Sequence, residues 1–138
     1  MVSQIDHLGI AVASLDAAVP LYRDILGLKY EGTETVPDGM SRVAFFKCGE
    51  VSLELLEPTG PDTPIGKFLA KRGEGIHHVC LRVDDIDAAR AQMSAAGLQL
   101  LDEKARPGAH HKLVSFFHPK STRGVLMEIA AWAPGHHP

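Results

Sequence analysis

The chain has 138 residues, of which 45% are hydrophobic and 22% are charged, values typical of one compact globular domain. Its formal net charge of -3 at pH 7 argues against nucleic acid as a partner, because proteins that bind nucleic acid usually carry a basic excess. Residues 1–13 contain neither a basic leader nor a long apolar run, so we expect a cytoplasmic protein with no membrane partner. Cys48 and Cys80 are expected to be buried free thiols.

The same succession of elements occurs twice along the chain. Residues 5–12 (IDHLGIAV) are echoed by residues 76–83 (IHHVCLRV), and both runs are typical of strands. A helix-like segment with a capping residue follows each run, from Ser14 to Gly27 in the first half and from Asp84 to Gly97 in the second. Pro20 falls inside the first helix, where proline removes a hydrogen bond, so we expect a late start or a kink there.

Two β-rich runs complete each half, at residues 42–48 and 51–56 and again at 113–118 and 125–130. The sequence therefore predicts an α+β fold of two tandem βαβββ modules. The predicted bounds are 1–57 for module one, 58–75 for a connector, 76–133 for module two and 134–138 for a frayed tail. The connector should hold a short helix capped by Thr63 and opened by Pro64, with one apolar face.

Strand parity selects two histidines and two glutamates. Neighbouring side chains on a strand point to opposite faces, so His7 leaves the apolar face formed by residues 8, 10 and 12. His78 occupies the equivalent position, whereas the adjacent His77 falls on the core side. Glu54 and Glu128 alternate with apolar residues in the same way, and they follow their histidines by 47 and 50 positions (54 − 7 and 128 − 78).

Two imidazoles and two carboxylates suit one divalent transition ion, such as Co²⁺, Mn²⁺, Ni²⁺, Fe²⁺ or Zn²⁺. Four protein ligands leave two positions of an octahedral ion open to chelate two substrate oxygens, where the ion would stabilise an enolate. A lone strand histidine is more often a surface or hydrogen-bonded core residue. The recurrence of both residue types at matching places favours metal binding.

Several segments also resemble a known family. IDHLGIAV, LYRDILGLKY and LELLEP are similar to the vicinal oxygen chelate superfamily, and the narrower match to its methylmalonyl-CoA epimerase family lies in TPIGKFLAKRGEGIHHVCLRVDDIDAA, DEKARPGAHHKLVSFFHPKS and GVLMEI. The resemblance implies a curved, partly open sheet and a homodimer. It also implies metal ligands at His7, Glu54, His78 and Glu128, with Co²⁺ expected first. The implied reaction interconverts (2R)- and (2S)-methylmalonyl-CoA, on the route between propionyl-CoA and succinyl-CoA.

Inversion at carbon requires proton transfer on two faces of the substrate. Some members of the family carry a glutamate on the second strand of module one, but the position that aligns best in this chain is Arg42, which is no base at neutral pH. We therefore expect Glu128 to be one acid/base group, with Glu54 or an ordered water serving the other face.

The acyl-CoA substrate needs cationic partners in an acidic chain. Residues 104–123 carry five of the fourteen Lys and Arg residues and no Asp or Glu, which makes Lys112, Lys120 and Arg123 candidate CoA contacts. An ordinary solvated face explains such a run equally well. His118 opens a His-Pro-Lys-Ser motif within the family signature, and the sequence does not indicate its role.

Two other functions remain open at this point. A glyoxalase I-type isomerase of the same fold would carry a similar His/Glu quartet, and a metal-free module that binds a small drug would share the fold without needing the ligands. A dioxygenase is less expected, because a site of two histidines and one carboxylate would not use both Glu54 and Glu128.

Overall fold

The computed structural model describes residues 1–137. Strands and helices follow one another in the order β1 (Val2–Ala11), α1 (Leu15–Pro20), β2 (Lys29–Thr35), β3 (Ser41–Cys48), β4 (Val51–Pro58), α2 (Pro64–Arg72), β5 (Gly75–Val83), α3 (Ile86–Ala95), β6 (Arg106–Pro107), β7 (Lys112–Phe117) and β8 (Met127–Trp132). None of the helices within residues 1–137 has both the length and the apolar character needed to cross a membrane.

Residues 7–77 form one compact unit, called here the first unit. Its strand order is β2-β3-β4-β1, in which β1 and β4 run parallel and the other pairs run antiparallel. Helix α1 covers one face of these strands, and the shared core contains the buried side chains of Val12, Leu15, Ala44, Phe46 and Leu55. The opposite face of β1 and β4 is thereby left for His7 and Glu54.

Residues 1–6 and residues 78 onward form the second unit. Its strand order is β5-β8-β7-β6, in which β5 and β8 run parallel and the other pairs run antiparallel. Helix α3 packs on these strands through a core that includes Val83, Ile86, Ala89, Phe117 and Ile129. The order β5-β8-β7-β6 repeats β1-β4-β3-β2, so the α+β class and the duplicated βαβββ pattern are confirmed. The single domain and its bounds stay predictions.

The helix caps follow the sequence closely. The hydroxyl of Ser14 accepts a hydrogen bond from Ala17 N at 3.3 Å and caps α1. In the second unit the cap is Asp85, whose carboxylate accepts from Ala88 N at 3.0 Å, and not Asp84 as the sequence predicted. Both residues are good N-caps, and the apolar phase of α3 selects the second because it buries Ile86 against the strands.

The α-helix α1 ends at Pro20, but the chain continues in a helical conformation beyond it. Residues Leu21–Ile25 continue as one π-helical turn, closed by a hydrogen bond of 2.9 Å from Leu26 N to Leu21 O. Proline has no N–H and its ring clashes with the carbonyl four residues back, so a wider turn accommodates it. The predicted disruption at Pro20 is confirmed and takes the form of a π-turn.

The predicted connector helix is α2, capped by Thr63, whose hydroxyl accepts from Gly66 N at 3.1 Å. Ile65 is buried, and Phe68 and Leu69 are half-buried on the same side. A Cβ added at Gly66 would lie 2.9 Å from Pro61 O and closer still to Gly60 O. The backbone of the connector therefore needs a glycine at this helical position.

Replacing Gly66 by alanine is expected to lower the free energy of unfolding by about 1–3 kcal/mol, because overpacking outweighs the helix propensity of alanine. Urea denaturation measures the change. Lys67→Ala, at an exposed position of the same helix, is the control and should remain within about 0.5 kcal/mol of the wild type. A Gly66→Ala variant more stable than the wild type would contradict the steric argument.

The two thiols differ in environment. Both cysteines are free, and Cys80 is buried as expected, but Cys48 is exposed. Cys48 is the last residue of β3, beside the turn that leads into β4, so the prediction of a buried thiol is wrong there.

The end of the chain turns back towards β7. Ala133 N donates to His111 O at 2.9 Å, His136 N donates to Ala133 O at 3.0 Å, and the rings of His111 and His136 stack at 4.4 Å. The sequence predicted a frayed tail over residues 134–138, whereas in the structure hydrogen bonds and ring stacking hold the chain at Ala133 and His136. Pro138, also assigned to that tail, lies outside the described residues.

Candidate metal centre

The first unit brings His7 and Glu54 together. Strands β1 and β4 are paired with Gly9 opposite Glu54, and His7 Nδ1 lies 3.1 Å from Glu54 Oε2. The two residues are only 6% and 8% exposed. Leu55 packs into the core on the other face of β4, so strand alternation forces Glu54 to point away from α1.

The second unit repeats this arrangement with His78 and Glu128. Cys80 stands opposite Glu128 between β5 and β8, which is the same register as Gly9 opposite Glu54. His78 Nε2 lies 3.2 Å from Glu128 Oε1, and the two residues are 6% and 5% exposed. The duplicated sequence pattern therefore produces a duplicated, buried His–Glu pair.

A phenylalanine flanks each glutamate, a feature that the sequence analysis missed. Phe45 pairs with Glu54 across β3 and β4, and Phe116 pairs with Glu128 across β7 and β8. The Phe116 ring meets the His78 ring edge-on at 5.4 Å. The doublets Phe45-Phe46 and Phe116-Phe117 were the available signal, since one member of each faces the core and the other faces the glutamate.

The donor spacing within each pair fits a divalent ion. Two ligand atoms bound about 2.1 Å from a metal and at right angles to each other lie about 3.0 Å apart, close to the observed 3.1 and 3.2 Å. Burying a carboxylate is costly unless it is paired or ligates a metal. Each pair, taken by itself, offers one imidazole nitrogen and one carboxylate oxygen, donors that fit such an ion.

His77, which strand parity placed on the core side, packs away from His78. Its ring meets the ring of Phe68 on α2 edge-on at 5.0 Å, and the guanidinium of Arg72 lies 5.8 Å from the same phenyl ring. His77 thus takes part in an aromatic contact with the connector helix.

Arg42 lies on the face of β3 opposite to the face that Phe45 shares with Glu54. Its side chain points to the same face of β3 as Ala44 and Phe46, which pack in the core under α1. Its Nη1 donates a hydrogen bond to Glu57 Oε2 at 3.1 Å. The side chain of Val43 is fully buried and points to the same face of β3 as Phe45, which is the face of Glu54. This strand therefore offers no proton-transfer group at either position.

The three candidate CoA contacts lie at two ends of one hairpin. Lys112 begins β7, whereas Lys120 and Arg123 lie in the turn after its last residue, Phe117. The five residue steps of β7 span about 17 Å. Lys112 therefore lies at the end of β7 opposite to Lys120 and Arg123.

Lys112 is also engaged in a buried polar cluster that sequence reasoning did not find. Asp6 is 1% exposed, and its Oδ2 accepts from Lys112 Nζ at 2.7 Å and from Arg82 Nε at 3.0 Å. Lys112 Nζ lies 4.7 Å from the centre of the Trp132 ring, and the Arg82 guanidinium lies 5.8 Å from it. The Lys112 ammonium thus has a carboxylate and an aromatic partner within the protein.

Known proteins share this architecture and sequence. The family model described as Glyoxalase/Bleomycin resistance protein/Dioxygenase superfamily matches residues 6–116. The ethylmalonyl-CoA/methylmalonyl-CoA epimerase of Cereibacter sphaeroides is 40% identical over 94% of this chain and 98% of its own length. The mitochondrial methylmalonyl-CoA epimerase of Mus musculus is 39% identical over 91% of this chain and 71% of its own length.

The backbone of one solved structure superposes on the whole of this chain. A variant of the Streptomyces coelicolor methylmalonyl-CoA epimerase, in complex with 2-nitronate-propionyl-CoA, superposes with a TM-score of 0.93, 38% identity and 100% coverage of both chains. The chain therefore belongs to the glyoxalase/bleomycin resistance protein/dioxygenase superfamily and, within it, to the methylmalonyl-CoA epimerase family. The fold predicted from the duplicated modules is the mixed α+β fold of this family.

Proposed function

We propose that the chain is a divalent-metal-dependent epimerase that interconverts (2R)- and (2S)-methylmalonyl-CoA. The observation that carries the proposal is the duplicated buried His–Glu pair, with donor atoms 3.1 and 3.2 Å apart, in a chain whose relatives are named as epimerases of this substrate. His7, Glu54, His78 and Glu128 would hold one ion. Co²⁺ is the ion we propose first, and Mn²⁺, Ni²⁺, Zn²⁺ or Fe²⁺ suits the same donors.

The chemistry of the substrate explains the need for these groups. Its α-carbon lies between a thioester and a carboxylate, so loss of the α-proton places negative charge on the neighbouring oxygens. A bound divalent ion would supply the Lewis acid that stabilises this charge as an enolate. The flanking rings of Phe45 and Phe116 lower the local polarity beside the two glutamates, which strengthens electrostatic interactions there.

Glu128 and Glu54 are the proposed proton-transfer groups. A carboxylate oxygen of Glu128 accepts the α-proton on one face, and Glu54 in its protonated form or an ordered water donates a proton on the other. Exchange with solvent then removes the proton from Glu128 and restores that of the donor. Arg42 is paired with Glu57 and Val43 has no titratable group, so we assign proton transfer to Glu128 and Glu54 and not to a residue at these positions of β3.

Proton exchange tests the activity. The metal-reconstituted protein, incubated with methylmalonyl-CoA in heavy water, is expected to replace the α-proton by deuterium and to racemise the centre, because both events follow from reversible removal of that proton. NMR and mass spectrometry report the exchange. The same assay with ethylmalonyl-CoA tests the second substrate named for the Cereibacter relative.

Two outcomes would contradict the proposal in different ways. Isomerisation of a glutathione hemithioacetal without α-proton exchange would indicate a glyoxalase I-type enzyme. Less than about half an equivalent of any transition metal after reloading would favour a metal-free binding module. A homodimer and a cytoplasmic location remain part of the proposal, and light scattering of the purified chain tests the first of them.

A further inference from the structure

The turn between β7 and β8 is held by hydrogen bonds that begin at His118. His118 Nδ1 accepts from Lys120 N at 3.1 Å, and His118 O accepts from Ser121 N at 2.9 Å and from Ser121 Oγ at 2.8 Å. Gly124 N closes the turn by donating to Pro119 O at 2.7 Å. The imidazole therefore acts as the side-chain cap of the 3-10 turn Pro119–Thr122.

The chain before β7 braces the same turn from outside. His118 N donates to Gln99 O at 2.8 Å, and Gln99 N donates to Ser121 Oγ at 3.0 Å. Both polar groups of the Gln99 backbone are thus committed to this turn. Its conformation is fixed before any ligand arrives, which reduces the ordering cost of binding.

The turn presents two cations to solvent. Lys120 and Arg123 are exposed, and neither forms an ion pair with any residue from 1 to 137. Arg123 has a left-handed backbone with φ 61°, a conformation that glycine adopts more readily. The left-handed backbone is less favourable for arginine than for glycine, and the Arg123 guanidinium forms no ion pair with residues 1–137 that would offset this cost.

The turn begins a short distance along the β7–β8 hairpin from Glu128. Phe116 pairs with Glu128, and His118 follows Phe116 by two residues, which is about 7 Å of strand. A thioester whose acyl group lies at Glu128 could direct its nucleotide towards this turn. Lys112, at the other end of β7, has its ammonium bound to Asp6 instead.

We propose that residues 118–124 form a preordered binding site for the phosphate groups of the CoA moiety, with Lys120 and Arg123 as the contacts and His118 as a positioning residue. This inference rests on the proposed function. His118 orders the turn by accepting the Lys120 N–H on Nδ1, so it acts with that nitrogen unprotonated. Each residue of the His-Pro-Lys-Ser motif then has a role in the site. His118 caps the turn, Pro119 fixes a backbone angle, Lys120 supplies a cation, and the Ser121 hydroxyl accepts a hydrogen bond from Gln99 N.

Binding of adenosine 3′,5′-bisphosphate to the metal-loaded protein tests the site without requiring turnover. Lys120→Gln and Arg123→Gln are each expected to weaken binding about tenfold, the loss typical of one charge-assisted contact. The KM for methylmalonyl-CoA should rise similarly while kcat stays within about twofold. Lys104→Gln removes an exposed lysine of the same unit outside the turn and should leave both constants unchanged.

His118 is tested by a matched pair of variants. His118→Ala should weaken bisphosphate binding about as much as Lys120→Gln, and adding Lys120→Gln to it should cause little further loss, because both changes act on the same contact. His118→Asn should restore binding to within about twofold of the wild type, since asparagine is among the preferred N-cap residues.

The outcomes separate this inference from the proposed function. Lys120→Gln and Arg123→Gln variants that bind the bisphosphate as tightly as Lys104→Gln would overturn the site, and a His118→Asn variant as weak as His118→Ala would overturn the positioning role. Active proton exchange without bisphosphate binding would overturn the inference alone. Turn-dependent binding without exchange would support the inference and contradict the epimerase.

Discussion

Replacing Glu128 by alanine is expected to lower kcat for α-proton exchange by at least about 10³-fold, because the substitution removes both a proposed ligand and a proposed base. Metal affinity should fall by about 100-fold or more, since even the loss of outer-shell partners costs about 10–100-fold. Exchange kinetics and a metal-competition titration measure the two effects.

A second variant separates the two roles of Glu128. Glu128→Gln keeps an oxygen donor but cannot accept the α-proton, so it should retain more metal than Glu128→Ala while losing exchange to a similar extent. Glu103→Ala, at an exposed position of the same unit, is the matched control and should behave like the wild type. Full exchange activity in either Glu128 variant would contradict its assignment.

Replacing Asp6 by alanine is expected to lower the free energy of unfolding by about 3–5 kcal/mol, the range for breaking a buried ion pair from one side. Lys112 and Arg82 would lose their shared carboxylate, and the Lys112 side chain is only 12% exposed. Urea denaturation followed by fluorescence reports the change, because Trp132 is the only tryptophan in the chain and lies against both cations.

Two further variants control the Asp6 experiment. Asp62→Ala removes an exposed carboxylate and should change the free energy of unfolding by less than about 0.5 kcal/mol. Adding Lys112→Met to Asp6→Ala should recover part of the lost stability, because it removes the stranded ammonium. An Asp6→Ala variant within about 1 kcal/mol of the wild type would show that the cluster contributes little.

Strand parity was sufficient to select the histidines and glutamates of each pair. Alternation is a local property of a strand, and the β4 core contact through Leu55 leaves Glu54 only one face. The same reasoning applied to β3 could have separated Arg42 from Val43, since Ala44 and Phe46 mark the core side of that strand.

The sequence could not reveal contacts between distant residues that share no pattern. The place of Lys112 in a basic run predicted a CoA contact, which stays a prediction, but it gave no sign that Asp6, 106 positions away, binds the Lys112 ammonium. The cap at His118 was hidden for a different reason. It depends on the orientation of one ring nitrogen towards Lys120 N, and the identity of a residue does not specify that orientation.

A metal titration tests most directly whether the two His–Glu pairs act as one centre. The metal-free protein is titrated with Co²⁺ while α-proton exchange of methylmalonyl-CoA is followed at each addition. One ion held by both pairs predicts that exchange starts near zero and reaches its plateau at one equivalent per chain. A plateau at two equivalents, or full exchange before any metal is added, would contradict the account.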